Sequence, residues 1–166
     1  MKNQTILMLM TFIFAIAGCQ KTVPEPKEAS KGTTEITAKV YDSVKARHYG
    51  ADAYGMKKYI MAFLKRGPNQ SVDSVQRSEL QRAHLDNINR LANEGKLVLA
   101  GPFFGNDDLR GIYIFNVQSI EEARLLTNTD PSIKAGVLAM ELREWYGSAA
   151  LMAVNELHAT IAKEDI

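Results

Sequence analysis

The sequence predicts an α+β domain with the element order β-α-β-β-α-β, a four-stranded antiparallel sheet carrying two helices on one face. Three observations carry that expectation. Ser74–Asn93 holds Leu80, His84, Ile88 and Leu91 at helical spacing. Four short apolar runs rich in aromatic and branched residues are separated by breaks of Gly, Pro, Asn and Asp. Ser119 with Glu122 three residues later marks the start of a second helix, between the third and fourth runs.

Taken in order, residues 35–57 form an extension of partly helical character. Ala38, Tyr41 and Val44 have a weak helical spacing, which predicts a short helix over about Thr37–Tyr49, and Gly50 and Gly55 punctuate the next segment. Lys58–Lys65 reads as the first strand, ended by Gly67-Pro68-Asn69. The long helix comes next, with Gly95 as its stop. Lys96–Phe104 is the second strand, Gly105-Asn106-Asp107-Asp108 supplies turn chemistry, and Gly111–Val117 is the third strand. The second helix runs from Ser119 to about Thr127. Asp130-Pro131 interrupts the chain, and Val137–Tyr146 is the last strand. This order is the split β-α-β, or ferredoxin-like, arrangement, placed at residues 58–147. In the tail, 148–166, Leu151, Val154, Leu157 and Ile161 fit an amphipathic helix, although the early part also fits an extended arm.

Two helices cover one face of a sheet, yet the first strand is apolar on both: Ile60, Ala62 and Leu64 on one side, Tyr59, Met61 and Phe63 on the other. Ile112 and Ile114 likewise alternate with Tyr113 and Phe115. A sheet apolar on both sides needs a second cover. A face-to-face homodimer supplies one; residues 35–55 or 148–162 folding over the open face supply another.

The N-terminus reads as a bacterial export signal. Lys2 precedes an apolar run, Ile6–Ala17, of h-region length, and Ile16-Ala17-Gly18-Cys19 fits a lipobox. Residues 1–18 are then a lipoprotein signal peptide, Cys19 the lipidated residue, and 19–34, with Pro24, Pro26 and Gly32, a flexible tether. Cys19 is the one cysteine of the chain, so no intramolecular disulfide is available and an acylated thiol explains its presence. The expected location is the bacterial cell envelope, on the outer membrane facing the periplasm or the cell surface. Net charge is +1, and acids and bases balance once Lys2 is removed, which leaves no electrostatic footprint for nucleic acid.

For chemistry, His84 stands out, because it falls on the apolar stripe of the long helix and needs a hydrogen-bonding partner there. Its proton affinity suits proton transfer when a carboxylate orients it. Asp130 follows the second helix, which in a split β-α-β domain lies beside the first, so the pair His84–Asp130 is the candidate catalytic centre. A satisfied core histidine and a turn-initiating aspartate are the ordinary alternatives. Gly101 and Pro102 end the second strand, where a missing side chain lets a ligand approach the backbone, and Phe103, Tyr113 and Trp145 offer an aromatic wall for it; ordinary packing is the alternative for each. Arg110 and Arg143 suit a bidentate carboxylate contact, or serve as solvated strand-end charges. His48, His84 and His158 lack metal-ligand spacing, and no phosphate loop or nucleophile elbow is present. No metal and no cofactor are expected.

His84-Leu85, the segment Leu97-Val98-Leu99-Ala100-Gly101-Pro102-Phe103, and Asp130-Pro131-Ser132-Ile133-Lys134-Ala135-Gly136-Val137 together closely resemble the YCII-related domain. Gly50–Tyr59 and Trp145-Tyr146-Gly147 look like a lipoprotein branch of that family. The resemblance implies a ferredoxin-like fold of the dimeric α+β barrel type and a site centred on a histidine and an aspartate, here His84 and Asp130. A related dehydrochlorinase of chlorinated hydroxyhydroquinone breakdown suggests proton abstraction from a small oxygenated ring. Three functions are therefore carried forward: a cofactor-independent enzyme for elimination, isomerisation or hydrolysis, a small-ligand-binding lipoprotein, and a structural domain whose pair is a buried polar latch.

Overall fold

The computed structural model describes residues 40–164. The signal peptide, Cys19 and the tether lie outside the described residues. The elements are α1 (Ser43–Tyr49), β1 (Met56–Arg66), α2 (Ser74–Asn93), β2 (Leu97–Pro102), β3 (Leu109–Phe115), α3 (Ile120–Thr127), α4 (Pro131–Lys134), β4 (Leu138–Ser148), a 3₁₀ turn (Ala149–Ala153) and α5 (Val154–Ile161). The four strands form one antiparallel sheet in the order β2-β3-β1-β4. This is the split β-α-β arrangement the sequence predicts. Among the described residues no helix is long and apolar enough to cross a membrane.

The helix-side core is built from Ile60, Ala62 and Leu64 of β1, Tyr113 and Phe115 of β3, Leu91 of α2 and Ala123 of α3. β1, β3 and β4 contribute alternate residues to it, because successive side chains point to opposite faces, and β2 adds Leu97. The opposite face is also apolar and is partly covered by the chain itself. Leu151 and Met152 of the 3₁₀ turn, with Trp145, pack on Tyr59, Val98 and Ile114. Three hydrogen bonds pin this cover: Tyr59 Oη donates to Ser148 O at 3.1 Å, Ala149 N to Gly55 O at 2.9 Å, and Asn155 Nδ2 to Leu97 O at 2.8 Å. On the same face Met61 and Leu99, which join this cluster, and Phe63 and Ile112, which lie outside it, are only half-buried.

Several boundaries move, each for a local reason. The first helix begins at Ser43, because the Asp42 carboxylate accepts from the backbone N–H groups of Val44 and Lys45 and caps it there. Glu122 reaches back to Gln118 N at 3.2 Å, while Ser119 Oγ accepts from Glu122 N at 3.1 Å, so the capping box of α3 spans one residue more than the sequence suggests. The tail is not an extended arm: it leaves β4 as a 3₁₀ turn and continues as a helix. Asp130-Pro131 does not merely interrupt the chain. Asp130 caps α4 and Pro131 occupies its first turn, where the missing N–H costs nothing.

The turn after β1 is held against the start of β4. Gly67 N donates to Val137 O at 2.8 Å and Asn69 N to Gly136 O at 2.9 Å. A Cβ on Gly67 would lie 2.1 Å from the Gly136 carbonyl oxygen, so only glycine fits this approach. The contact fixes the segment that carries Asp130 and α4 relative to the start of α2.

Candidate active site

His84 sits in the middle of α2, on the stripe that faces the sheet, and is 7% exposed; Asp130 is fully buried. His84 Nδ1–H donates to Asp130 Oδ2 at 2.6 Å. The other carboxylate oxygen, Oδ1, accepts from Ser132 N at 2.8 Å. One side chain therefore caps α4 and orients the imidazole, and each task holds the carboxylate for the other. Ser132 Oγ donates to Leu80 O at 3.1 Å, tying α4 back to α2 one turn before His84.

Tyr113 completes the line. Its ring stacks near His84, with centroids 6.2 Å apart and planes 22° apart, and its hydroxyl lies 3.3 Å from Nε2. Burial first, and the negative charge of Asp130 second, push the Tyr113 hydroxyl far above its ordinary pKa. It therefore stays a donor, and donates to Nε2. The partners assign the tautomer: Nδ1 carries the proton toward Asp130, and the Nε2 lone pair faces Tyr113. An imidazole held this way by a carboxylate can accept a proton at Nε2 and keep the resulting cation beside an anion.

The remaining sequence candidates lie elsewhere. Gly101 stands opposite Ile112, and Pro102 and Phe103 are exposed on and just beyond the edge strand β2. A Cβ on Gly101 would meet nothing within 4 Å, whereas one on Gly111 would lie 2.5 Å from the Gly101 carbonyl oxygen. The close approach here is between strands, at Gly111, and Gly101 and Pro102 line no part of the His84–Asp130 contact. Trp145 packs near Tyr59, with centroids 6.0 Å apart, and forms part of the cover of the open face. Arg143 pairs with Glu141 on the exposed side of β4. His48 and His158 lie on α1 and α5, and among the described residues no group of three acidic, histidine or cysteine side chains is placed to hold a metal.

A cleft of about 590 Å³ opens between the start of α2 and the adjoining ends of β1, β3 and β4. Arg66, Arg77, Arg110, Leu80, Ser132 and Leu138 are among the residues that line it. His84 and Asp130 do not line it themselves; Leu80 and Ser132, which brace the pair, do. Arg66, Arg77 and Ser132 are not evident from the sequence as site residues. Arg66 ends a strand and Arg77 lies in a helix's first turn, so only the fold brings them together. Ser132 is legible only once Asp130 is read as a helix cap.

The YCII-related domain matches residues 59–146. The uncharacterized protein YjpA of Bacillus subtilis (strain 168) is 32% identical over 62 residues, which are 37% of this chain and 71% of YjpA. A solved structure of 5-chloro-2-hydroxyhydroquinone dehydrochlorinase (TftG) from Burkholderia phenoliruptrix AC1100, in complex with 2,5-dihydroxybenzoquinone, is 25% identical; the match covers 52% of this chain and 92% of that one, with a TM-score of 0.41. By the extent of the domain match and the likeness to YjpA, this chain belongs to the YCII-related domain family.

Proposed function

We propose that this chain is a membrane-anchored enzyme of the family that performs cofactor-independent acid–base chemistry on a small organic molecule, by elimination, isomerisation or hydrolysis. The observation that carries the reading is the 2.6 Å contact from His84 Nδ1 to Asp130 Oδ2, which leaves Nε2 as the basic nitrogen. His84 takes the proton, Asp130 orients the ring and stabilises its cation, and the Tyr113 hydroxyl yields Nε2 to substrate. The cleft beside Leu80 and Ser132 lies one helical turn along α2 from His84, and on this reading a local opening between the two admits the substrate.

The test is direct. The full chain is incubated in D₂O with a panel of small oxygenated rings and carbonyl acids, and NMR follows carbon-bound proton exchange and conversion. Exchange or conversion by the wild type that falls about 10²- to 10⁴-fold in His84→Ala supports the reading. Equal rates in the two proteins remove it.

One observation favours a second reading, the polar latch. Asp130 is fully buried, and among the described residues no buried side-chain nitrogen or oxygen lacks a hydrogen-bond partner. A latch of this kind loses stability and nothing else when His84 is replaced. The third reading, a binding lipoprotein, is separated by recovering the bound compound unchanged.

The anchor rests on the sequence Ile16-Ala17-Gly18-Cys19 and places the domain in the cell envelope; Cys19→Ala should move the protein from the detergent phase to the aqueous phase on Triton X-114 partition. Homodimerisation through the sheet face is supported by Phe63 and Ile112, half-buried and outside the cluster that Leu151 and Met152 cover, and by Met61 and Leu99, which stay half-buried within it. Sedimentation at the monomer mass across the micromolar range would overturn it.

A further inference from the structure

We infer that the cleft between α2 and the ends of β1, β3 and β4 is an anion-recognition site, and that its ligand is a small organic acid held by its carboxylate. Among the described residues three arginines line the cleft, Arg66, Arg77 and Arg110, and no carboxylate does. Two of the three have poor partners. The Arg77 guanidinium donates to Gln70 O at 3.3 Å, and Arg110 Nη1 donates to the carbonyl oxygens of Gly105 and Asp107 at 3.3 Å and to Asn106 Oδ1 at 3.4 Å. Arg66 makes two good bonds to Asn106, to its backbone oxygen at 2.8 Å and its Oδ1 at 3.0 Å. Its acidic neighbour is Asp108, 3.7 Å away with a side chain 87% exposed. Three cations thus line one concavity, and the one carboxylate paired with them among the described residues, Asp108 on Arg66, is solvated and lies outside the lining. That arrangement raises the local potential and favours an anion.

The chemistry of the lining narrows the class. Guanidinium forks match a carboxylate bidentately. Among the described residues no glycine lines the cleft, so it lacks the backbone N–H cradle that typically wraps phosphate. Leu80, Val137 and Leu138 give an apolar wall for a carbon skeleton. The cleft volume, about 590 Å³, lies within the usual range for small-molecule sites. The arginines stand on β1, α2 and β3, so their positions are set by the fold and not by one loop.

The site also adjoins the pair. Ser132 lines the cleft, donates to Asp130 through its N–H and to Leu80 O through its hydroxyl, and His84 follows Leu80 by one turn. An acid anchored on the arginines therefore lies beside Ser132 and Leu80, the residues that brace the pair. Naming that acid a substrate rests on the acid–base reading; its binding does not.

The experiment uses the full chain at constant ionic strength, titrated calorimetrically with acetate, malonate, benzoate, inorganic phosphate and uncharged malonamide. At least one carboxylate should bind, malonamide should not, and phosphate should bind more weakly than the best carboxylate. The double variant Arg77→Gln/Arg110→Gln should weaken that carboxylate at least tenfold while keeping a cooperative thermal transition. If the double variant does not fold, Arg77→Gln alone should weaken it several-fold. His84→Gln should bind it as the wild type does, which separates failure of this inference from failure of the acid–base reading. No carboxylate binding, phosphate binding in preference, or unchanged affinity in the arginine variants overturns the proposal.

Discussion

Two contacts tie α2 to the turn after α3, and they differ in kind. His84 reaches Asp130, a titratable ring on a fully buried carboxylate. One turn on, Asn87 meets the neighbouring residue Thr129, whose hydroxyl lies 2.9 Å from Asn87 Oδ1, and Arg90 donates to both, at 2.8 Å to Asn87 and 2.9 Å to Thr129. The second link is neutral at its centre and reaches solvent through Arg90. A fold that needed only to hold this turn against the helix has that link already. Burying a carboxylate is costly unless it is paired and hydrogen-bonded. On the proposed reading the costlier contact orients an imidazole for chemistry and the cheaper one only holds position; the variants below test that division.

The largest effect should come from removing the carboxylate. Asp130→Ala leaves the His84 Nδ1–H without its acceptor and α4 without its cap. An orphaned buried donor and a lost cap together amount to about 3 kcal/mol. Urea unfolding should show that loss, and any exchange or turnover by the protein should vanish with it. A cost near zero would mean that the carboxylate is not held as the geometry indicates.

His84→Gln sharpens the comparison, because it converts the first link into a copy of the second. An amide keeps a donor for Asp130 but does not titrate near neutral pH. Stability should stay within about 1 kcal/mol of wild type, while acid–base turnover falls about 10²- to 10⁴-fold. Retained turnover would make the imidazole a latch. Thr129→Val acts on the other side: it removes one hydroxyl from a half-exposed network. It should cost about 1 kcal/mol in denaturant unfolding and leave turnover unchanged. A large kinetic effect from Thr129→Val would erase the distinction between the two links.

Much of this site is legible in the sequence. The helical stripe through Leu80, His84, Ile88 and Leu91 turns His84 inward, and element order places Asp130 beside it, because adjacent helices on a split β-α-β sheet are the product of topology alone. What Asp130 does with its second oxygen is not legible. Asp-Pro is equally a turn signal and an N-cap followed by proline, and a four-residue helix leaves no periodicity to read. The cover of the open face is ambiguous for a related reason. Leu151, Val154, Leu157 and Ile161 have helical spacing, yet the first residues after β4 form a 3₁₀ turn, whose different period puts Leu151 and Met152 on the sheet. Of the arginine cleft only Arg110 is legible as a carboxylate contact; Arg66 and Arg77 are far from it in sequence and share no spacing with it.

Tyr113 offers the finest cut between the two links, since it touches the titratable one alone. Its pKa is raised in the folded protein, chiefly by burial and then by the charge of Asp130. A folded pKa above the unfolded one gives stability that is complete below about pH 10, the ordinary tyrosine value, and lost as pH rises beyond it. Tyr59, also raised by burial, contributes in the same direction. Stability measured from pH 8 to 11 should therefore fall at the alkaline end, and Tyr113→Phe should fall less steeply. Near pH 8 the same variant should lose about 1 kcal/mol or less, for one hydroxyl removed at the long distance of 3.3 Å from Nε2. Thr129→Val, having no bearing on a titrating group, should keep the wild-type alkaline slope. Equal slopes in wild type and Tyr113→Phe would mean that the phenol is not sealed beside Asp130, and the line from carboxylate through imidazole to hydroxyl would lose its third member.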